Sequence, residues 1–186
     1  DGTKQKTNLG ANSILAVSIA ACKLAAISKN ISLFKYLGGA TASQLPLPLM
    51  NIINGGVHAN NSLRIQEFMI RPERSESFSE AIRLCFLVIQ NLKILINNKN
   101  LSTTVGDEGG FAPALNKNEE AIEFILESIE KSGFRPGQDV SICLDIASNE
   151  LYKNGKYSVK SSKFEEVEQT INYYLDLIDK YPIKSI

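Results

Sequence analysis

The sequence carries no excess of either charge: 20 basic side chains stand against 20 acidic ones over 186 residues, and the formal net charge is zero. Without a basic surplus there is nothing to neutralise a phosphate backbone, so nucleic acid is excluded as the main partner, and an anionic membrane surface with it. Long apolar runs are also lacking. The longest nearly apolar stretch, residues 14–22, falls well short of the roughly 18 residues that a membrane span needs, so no span is expected. Cysteine is scarce. Cys22, Cys85 and Cys143 are an odd number with no CxxC pair, which reads as reduced, buried small side chains in a cytosol-like compartment. No signal-peptide pattern is present.

What remains is an ordinary globular composition, 44% hydrophobic and 22% charged, which excludes disordered, collagen-like and coiled-coil classes. The length suits one domain, or one and a fraction, with a sizeable core. The chain opens at Asp1-Gly2-Thr3 without Met and stops at Tyr181-Pro182-Ile183-Lys184-Ser185-Ile186, where an apolar strand begins. An internal piece of a longer polypeptide is therefore expected.

Helical spacing of Ile14, Val17, Ala21 and Ala25 predicts a helix over 12–29, capped by Asn12 or Ser13 and stopped at Asn30. A short helix follows over 33–42, decaying through Gly38-Gly39. Residues 45–51 alternate apolar residues with proline and read as an extended edge strand. Residues 66–72 are a second strand, and the intervening segment has no helical pattern, so the two are antiparallel neighbours. Ser77 and Glu80 form a capping box for a helix whose apolar face is Ala81, Ile82, Cys85, Val88, Ile89, Leu92 and Ile96. A second helix over 118–132 turns Ala121, Ile122, Ile125 and Ile129 inward, with Gly133 as its stop. Residues 140–145 are a buried strand. Phe164, Val167, Ile171, Tyr174, Leu175 and Ile178 mark a third helix, stopped by Pro182, and a last strand begins after it. The order β-β-α-α-β-α-β ends in α/β-barrel alternation but opens differently from the usual eightfold repeat.

Four segments bear chemistry. Asn51-Ile52-Ile53-Asn54-Gly55-Gly56-Val57-His58 combines a tight glycine turn with the only histidine, and is either a ligand loop or a turn with an exposed histidine. Gln66-Glu67-Phe68 places an amide and a carboxyl at a strand edge, where a solvated Glu is the plainer alternative. Gly106-Asp107-Glu108-Gly109-Gly110-Phe111-Ala112-Pro113 frames two acids with three glycines. Neighbouring carboxylates raise one another's pKa, a device for holding an acid protonated near neutrality; a type I turn is the alternative. Asp145 ends a continuous apolar strand, where burial is costly without a cation or hydrogen bonds, unless it caps a helix. One histidine and four acids (Glu67, Asp107, Glu108, Asp145) thus lie where a barrel gathers them at one rim. Oxygen donors without a His/Cys cluster favour Mg²⁺ over Zn²⁺. The residues alone indicate a magnesium-dependent α/β-barrel enzyme acting on a small anion.

These segments, with Leu9-Gly10-Ala11-Asn12, Leu144-Asp145, Gly155-Lys156-Tyr157 and Tyr181-Pro182-Ile183, resemble the enolase (phosphopyruvate hydratase) family along all 186 residues. The resemblance implies the helical end of a small α+β N-terminal domain over 1–42 and the first half of an enolase-type barrel over 43–186. It implies reversible dehydration of 2-phosphoglycerate to phosphoenolpyruvate in glycolysis, with Mg²⁺, in a cytoplasmic homodimer. Glu108 matches the family's general acid, Glu67 the second acid of that pair, His58 a substrate-contacting histidine and Gln66 a substrate-binding amide. Asp145 matches one of three carboxylates that hold Mg²⁺. The base lysine and two metal carboxylates are expected beyond Ile186, so these residues alone are expected to be inactive. Residues 71–75 and 146–149 depart from the family's pattern and are read as surface or packing drift. Two rivals are a surface-displayed binding role and another lyase or racemase of the same superfamily. No C-terminal lysines or export signal support the first, and the residue 106–113 loop speaks against the second.

Overall fold

The computed structural model describes residues 1–186, which form two compact units, Asp1–Leu45 and Pro46–Ile186. The first holds α1 (Ala11–Ser28) and α2 (Leu33–Gly38). Gly10, in a left-handed conformation (φ 75°), is the N-cap of α1. Asn12 and Ser13 therefore do not cap the helix: the Asn12 side chain folds inside the first turn and accepts the Ser13 N–H at 2.9 Å. Asn30 follows the helix at φ 50°, consistent with its predicted role as a stop. Of the apolar positions that mark α1, none is buried. Val17 and Ala21 are exposed, and Ala26 is its one buried residue. The whole 18-residue helix, with mean hydropathy 1.6, is long and apolar enough to cross a membrane by length and composition, which corrects the reading that stopped at residues 14–22.

In the second unit, β1 (Met50–Asn54), β2 (Glu67–Pro72), β3 (Val140–Asp145) and β6 (Ile183–Ser185) form one sheet in the order β1-β2-β3-β6. The first two pairings are antiparallel and the last is parallel. The predicted order of elements holds, with a short hairpin, β4 (Tyr152–Lys153) and β5 (Lys156–Tyr157), inserted before α5 (Val167–Lys180). Strand β1 is an edge, as predicted, but starts at Met50: Pro46 and Pro48 lack the N–H that a ladder needs.

Strand β2 alternates strictly, with Phe68, Ile70 and Pro72 buried. The Phe68 and Ile70 side chains, with Ile142 and Leu144 of β3, join the core built by α3 (Phe78–Asn98) and α4 (Asn118–Lys131). Because the side-chain period of a strand is two, the opposite face presents Glu67, Met69 and Arg71 beside their β3 partners Asp145, Cys143 and Ser141. Ser77 accepts the Glu80 N–H at 3.1 Å, but the Glu80 carboxylate turns to Arg83 (2.7 Å), so only half of the predicted capping box forms. Helix α3 buries Leu84 and Leu95 in addition to the predicted face, and leaves Ile82 exposed. Helix α4 buries the predicted residues.

Helix α5 forms where the apolar spacing predicts a third helix. It buries Thr170, Tyr173 and Leu177, while Val167, Ile171, Leu175 and Ile178 are exposed and Phe164 lies outside it. Cys85 and Cys143 are buried and Cys22 is half-buried, all as free thiols, and burial pushes the Cys85 thiol up to about 11.

The corrected α3 face has a direct test. Leu84→Ala should cost about 2–5 kcal/mol in urea unfolding, because it opens a cavity in a sealed core. Ile82→Ala should cost about 1 kcal/mol or less. Equal losses would restore the face read from periodicity.

Candidate active site

The site is assembled by an irregularity in β1. Asn51 pairs with Met69, but after a bulge it is Ile53 that pairs with Phe68 and Asn54 with Glu67. The extra residue shifts the register by one, so Asn54 rather than Ile53 shares the Glu67 face. The chain then turns through Gly55 and Gly56. Gly55 N–H donates to the Gln66 carbonyl at 2.9 Å and Gly56 N–H to the Leu63 carbonyl at 3.0 Å. A Cβ at Gly55 would meet the Leu63 Cβ at 2.5 Å, so only glycine allows this closeness. The turn ends in a 3₁₀ segment, Gly56–His58, which delivers the imidazole beside β2.

The loop of residues 106–113 docks on the same strand end. Phe111 N–H donates to the Ile52 carbonyl and Asn54 N–H to the Phe111 carbonyl, both at 2.9 Å. Asp107 N–H reaches the His58 carbonyl at 3.2 Å. Gly106 lies so close to His58 and Asn54 that a Cβ would meet them at 2.5 and 2.8 Å. The Gly109 N–H to Gly106 carbonyl bond (3.1 Å) is a turn, as the plainer alternative held, but the turn serves to hold Glu108 over the sheet. His58 Nδ1 lies 3.5 Å from Glu108 Oε1, and polar atoms of His58, Glu67 and Glu108 lie within 4.8 Å of one another.

The consequence is electrostatic. Partial burial first, then a hydrogen bond with Glu108 and the charges of Glu108 and Asp145, push the Glu67 carboxyl up to about 7. Burial and a neighbouring carboxyl both disfavour the charged form, so Glu67 is poised to hold its proton towards neutrality. The imidazole beside it has no hydrogen-bond partner at its buried Nδ1.

The remaining predicted residues divide. Asp145 is the direct cross-strand partner of Glu67, and its carbonyl accepts the Gln66 N–H at 3.1 Å. It is exposed rather than buried, because the strand ends there. Its Oδ1 accepts the Ala147 N–H at 2.9 Å, steadying the left-handed Ala147 (φ 49°) that caps the next 3₁₀ turn. Residues 146–149 therefore do touch the site, against expectation. Gln66, 9% exposed, lines a cavity of about 150 Å³ with Gly56, Asn61 and Arg64. Asp107 contributes its backbone, and its side chain is not among the gathered acids. Arg71 forms a two-pronged pair with Glu73 at 2.9 and 2.7 Å and touches none of the gathered residues.

Sequence reading missed the asparagines. Asn54 is fully buried and accepts from Asn51 Nδ2 at 2.8 Å. Asn61 Nδ2 bridges the Asn54 and Pro113 carbonyls at 3.0 and 3.1 Å, tying the histidine loop to the acid loop. A polar residue closing the strand immediately before Gly55-Gly56 was the available signal at Asn54.

The donor chemistry separates two kinds of metal position. His58, Glu67 and Glu108 are close enough for one ion to touch all three. That set mixes nitrogen with a carboxyl whose pKa is raised, which suits proton transfer better than a hard cation. Asp145 offers an exposed carboxylate with one oxygen open at a strand end, an oxygen donor of the kind Mg²⁺ takes.

Glu67 makes stability depend on pH. Its pKa is raised in the fold, so folding costs nothing extra below the ordinary carboxyl pKa of about 4.5; the cost grows to about pH 7 and is constant above it. Glu67→Gln should remove that cost and stabilise the protein above pH 7 by about 1 kcal/mol, discounted for solvent screening, with no gain at pH 4. A gain independent of pH would contradict the shift.

Comparison with known proteins agrees with this geometry. Residues 42–186 match the model of the enolase C-terminal TIM barrel domain, and residues 1–37 that of the enolase N-terminal domain. The enolase of Pelagibacter ubique (strain HTCC1062) is 62% identical over all 186 residues. The chain spans 44% of that relative's length. With a barrel-domain match over most of its residues, the chain belongs to the enolase family.

Proposed function

We propose that the protein carrying this chain dehydrates 2-phosphoglycerate to phosphoenolpyruvate, reversibly, as a Mg²⁺-dependent step of glycolysis in a cytoplasmic homodimer. In this reading residues 1–42 are the helical end of the N-terminal domain and 43–186 the first half of the barrel. The observation that carries the reaction is the gathering of His58, Glu67 and Glu108 within 4.8 Å of one another, with the Glu67 carboxyl pushed up to about 7.

The reaction breaks a C2–H bond and a C3–O bond and forms the C2=C3 double bond. Hydroxide is a poor leaving group, so an acid must protonate the departing 3-hydroxyl and release it as water. Glu108 is that acid, at the tip of its glycine loop; its proton leaves in the released water and is replaced from solvent before the next turnover, with Glu67 the second acid of the pair. His58, beside Glu108, and the Gln66 amide bind and orient the substrate. None of these four side chains is a lysine, so the base for the C2 proton is assigned to none of them, and these residues alone are expected to be inactive. Asp145 would be one of the Mg²⁺ ligands; when bound, the cation offsets the negative charge that builds on the substrate carboxylate as the C2 proton leaves.

Two substitutions in the complete protein test these roles. Glu108→Gln should lower turnover about a hundredfold or more while exchange of the C2 proton with solvent stays measurable, because the acid acts on the leaving group. Loss of exchange in a folded variant would reject that role. Asp145→Asn should weaken Mg²⁺ binding by calorimetry about tenfold or more, since a neutral amide gives a hard cation one oxygen and no charge. Unchanged affinity would remove Asp145 from the ligand set.

A further inference from the structure

Asn118 is the first residue of α4, and it is 1% exposed. The N-cap of that helix is Lys117, which makes no side-chain cap, and the Asn118 side chain is engaged elsewhere. Its Oδ1 accepts the Arg64 N–H at 3.0 Å and the Ile65 N–H at 3.2 Å. Its Nδ2 donates to the Val159 carbonyl at 2.9 Å and to the Tyr173 hydroxyl at 3.1 Å. An amide can accept two bonds and donate two, and here all four are made.

The two accepted bonds fall at a sensitive place. Arg64 and Ile65 immediately precede Gln66 and Glu67, outside the ladder of β2. Ile65 is fully buried, so its N–H would lose its only partner if the amide oxygen were removed. One residue later both backbone groups of Gln66 are fixed, its N–H to the Asp145 carbonyl and its carbonyl to the Gly55 N–H. A second anchor lies beside the first: the Arg64 guanidinium donates to the Ser158 carbonyl at 2.9 Å and to its hydroxyl at 2.8 Å. The segment entering β2 is thus held from outside the sheet by side chains that touch none of the gathered acids.

We propose that Asn118 is a positioning residue whose side-chain oxygen sets the placement of Gln66 and Glu67 against Glu108, while its nitrogen serves stability by tying α4 to α5. The two halves of one amide do different work. The inference rests on the function proposed above, because it assigns Glu67 and Gln66 their place in that reaction.

Three variants of the complete protein separate the halves. Asn118→Asp keeps the acceptor and loses the amide donors. Asn118→Ala loses both. Tyr173→Phe removes one partner of the nitrogen only. At a temperature where all are folded, Asn118→Ala should lower kcat/KM for 2-phosphoglycerate about tenfold or more, since small misplacements of reacting groups are costly. Asn118→Asp should stay within about threefold of wild type and Tyr173→Phe should match it, although both lower the urea midpoint. Should Asn118→Ala not fold, Asn118→Ser, with a shorter acceptor, should show a loss between those of Asp and Ala. Activity that tracks the urea midpoint across the set, or a folded Asn118→Ala with unchanged kcat/KM, overturns the inference. A wild-type protein inactive on 2-phosphoglycerate refutes the function instead. In that event amide hydrogen exchange decides the placement: Ile65 and Gln66 should exchange about tenfold faster in Asn118→Ala than in Tyr173→Phe, and equal rates overturn it.

Discussion

The approach of Glu108 to Glu67 is the contact on which the rest of the site depends, because two carboxyls repel unless a proton is held between them and water is partly kept away. Neither acid would take up that arrangement as an isolated loop or strand residue. The fold imposes it from both sides. The β1 bulge places Asn54, not an isoleucine, opposite Glu67. Gly106 and Gly110, which have no room for a side chain beside Asn54, let the acid loop settle on the strand end. Partial burial, then Glu108, and last the charge of Asp145 across the ladder push the Glu67 carboxyl up to about 7.

Loops that carry reactive groups bury little apolar surface, so their rigidity comes from hydrogen bonds. In this chain asparagine supplies many of them. Asn61 joins the histidine loop to the acid loop, and Asn118 joins the entry to β2 to α4, α5 and the segment after β5. Each bonds backbone groups that no strand or helix satisfies. This is the physical reason for polar side chains at nearly sealed positions beside an otherwise apolar core of Ile, Leu and Val.

Much of the scaffold was legible because periodicity reports burial. The alternation of β2, the apolar run of β3 and the inward face of α4 all appear where the pattern predicts. Helix α5 appears where predicted, but its buried side was not legible, because it is apolar on two sides and periodicity does not say which side packs inward. The Tyr173 hydroxyl, engaged by Asn118, accompanies the burial of Thr170, Tyr173 and Leu177. The β4–β5 hairpin escaped notice although Asn154-Gly155, both at positive φ, is a strong turn signal, because two-residue strands leave almost no alternation to see. At the site, His58, Glu67, Glu108, Gln66 and Asp145 were singled out from glycine-framed motifs and resemblance. The exposure of Asp145, the marginal part of Asp107 and the organising asparagines were not, since each depends on contacts distant in sequence.

The central claim is that the fold holds a proton at the Glu67–Glu108 pair near neutral pH, and titration of the Glu67 carboxyl carbon by ¹³C NMR tests it without substrate or turnover. The account predicts a midpoint of about 7 in the wild-type protein and a fall towards the ordinary carboxyl range when Glu108 is replaced by Ala. Glu67 titrating in the ordinary carboxyl range in the wild type, or a raised midpoint that Glu108→Ala leaves unmoved, would contradict it.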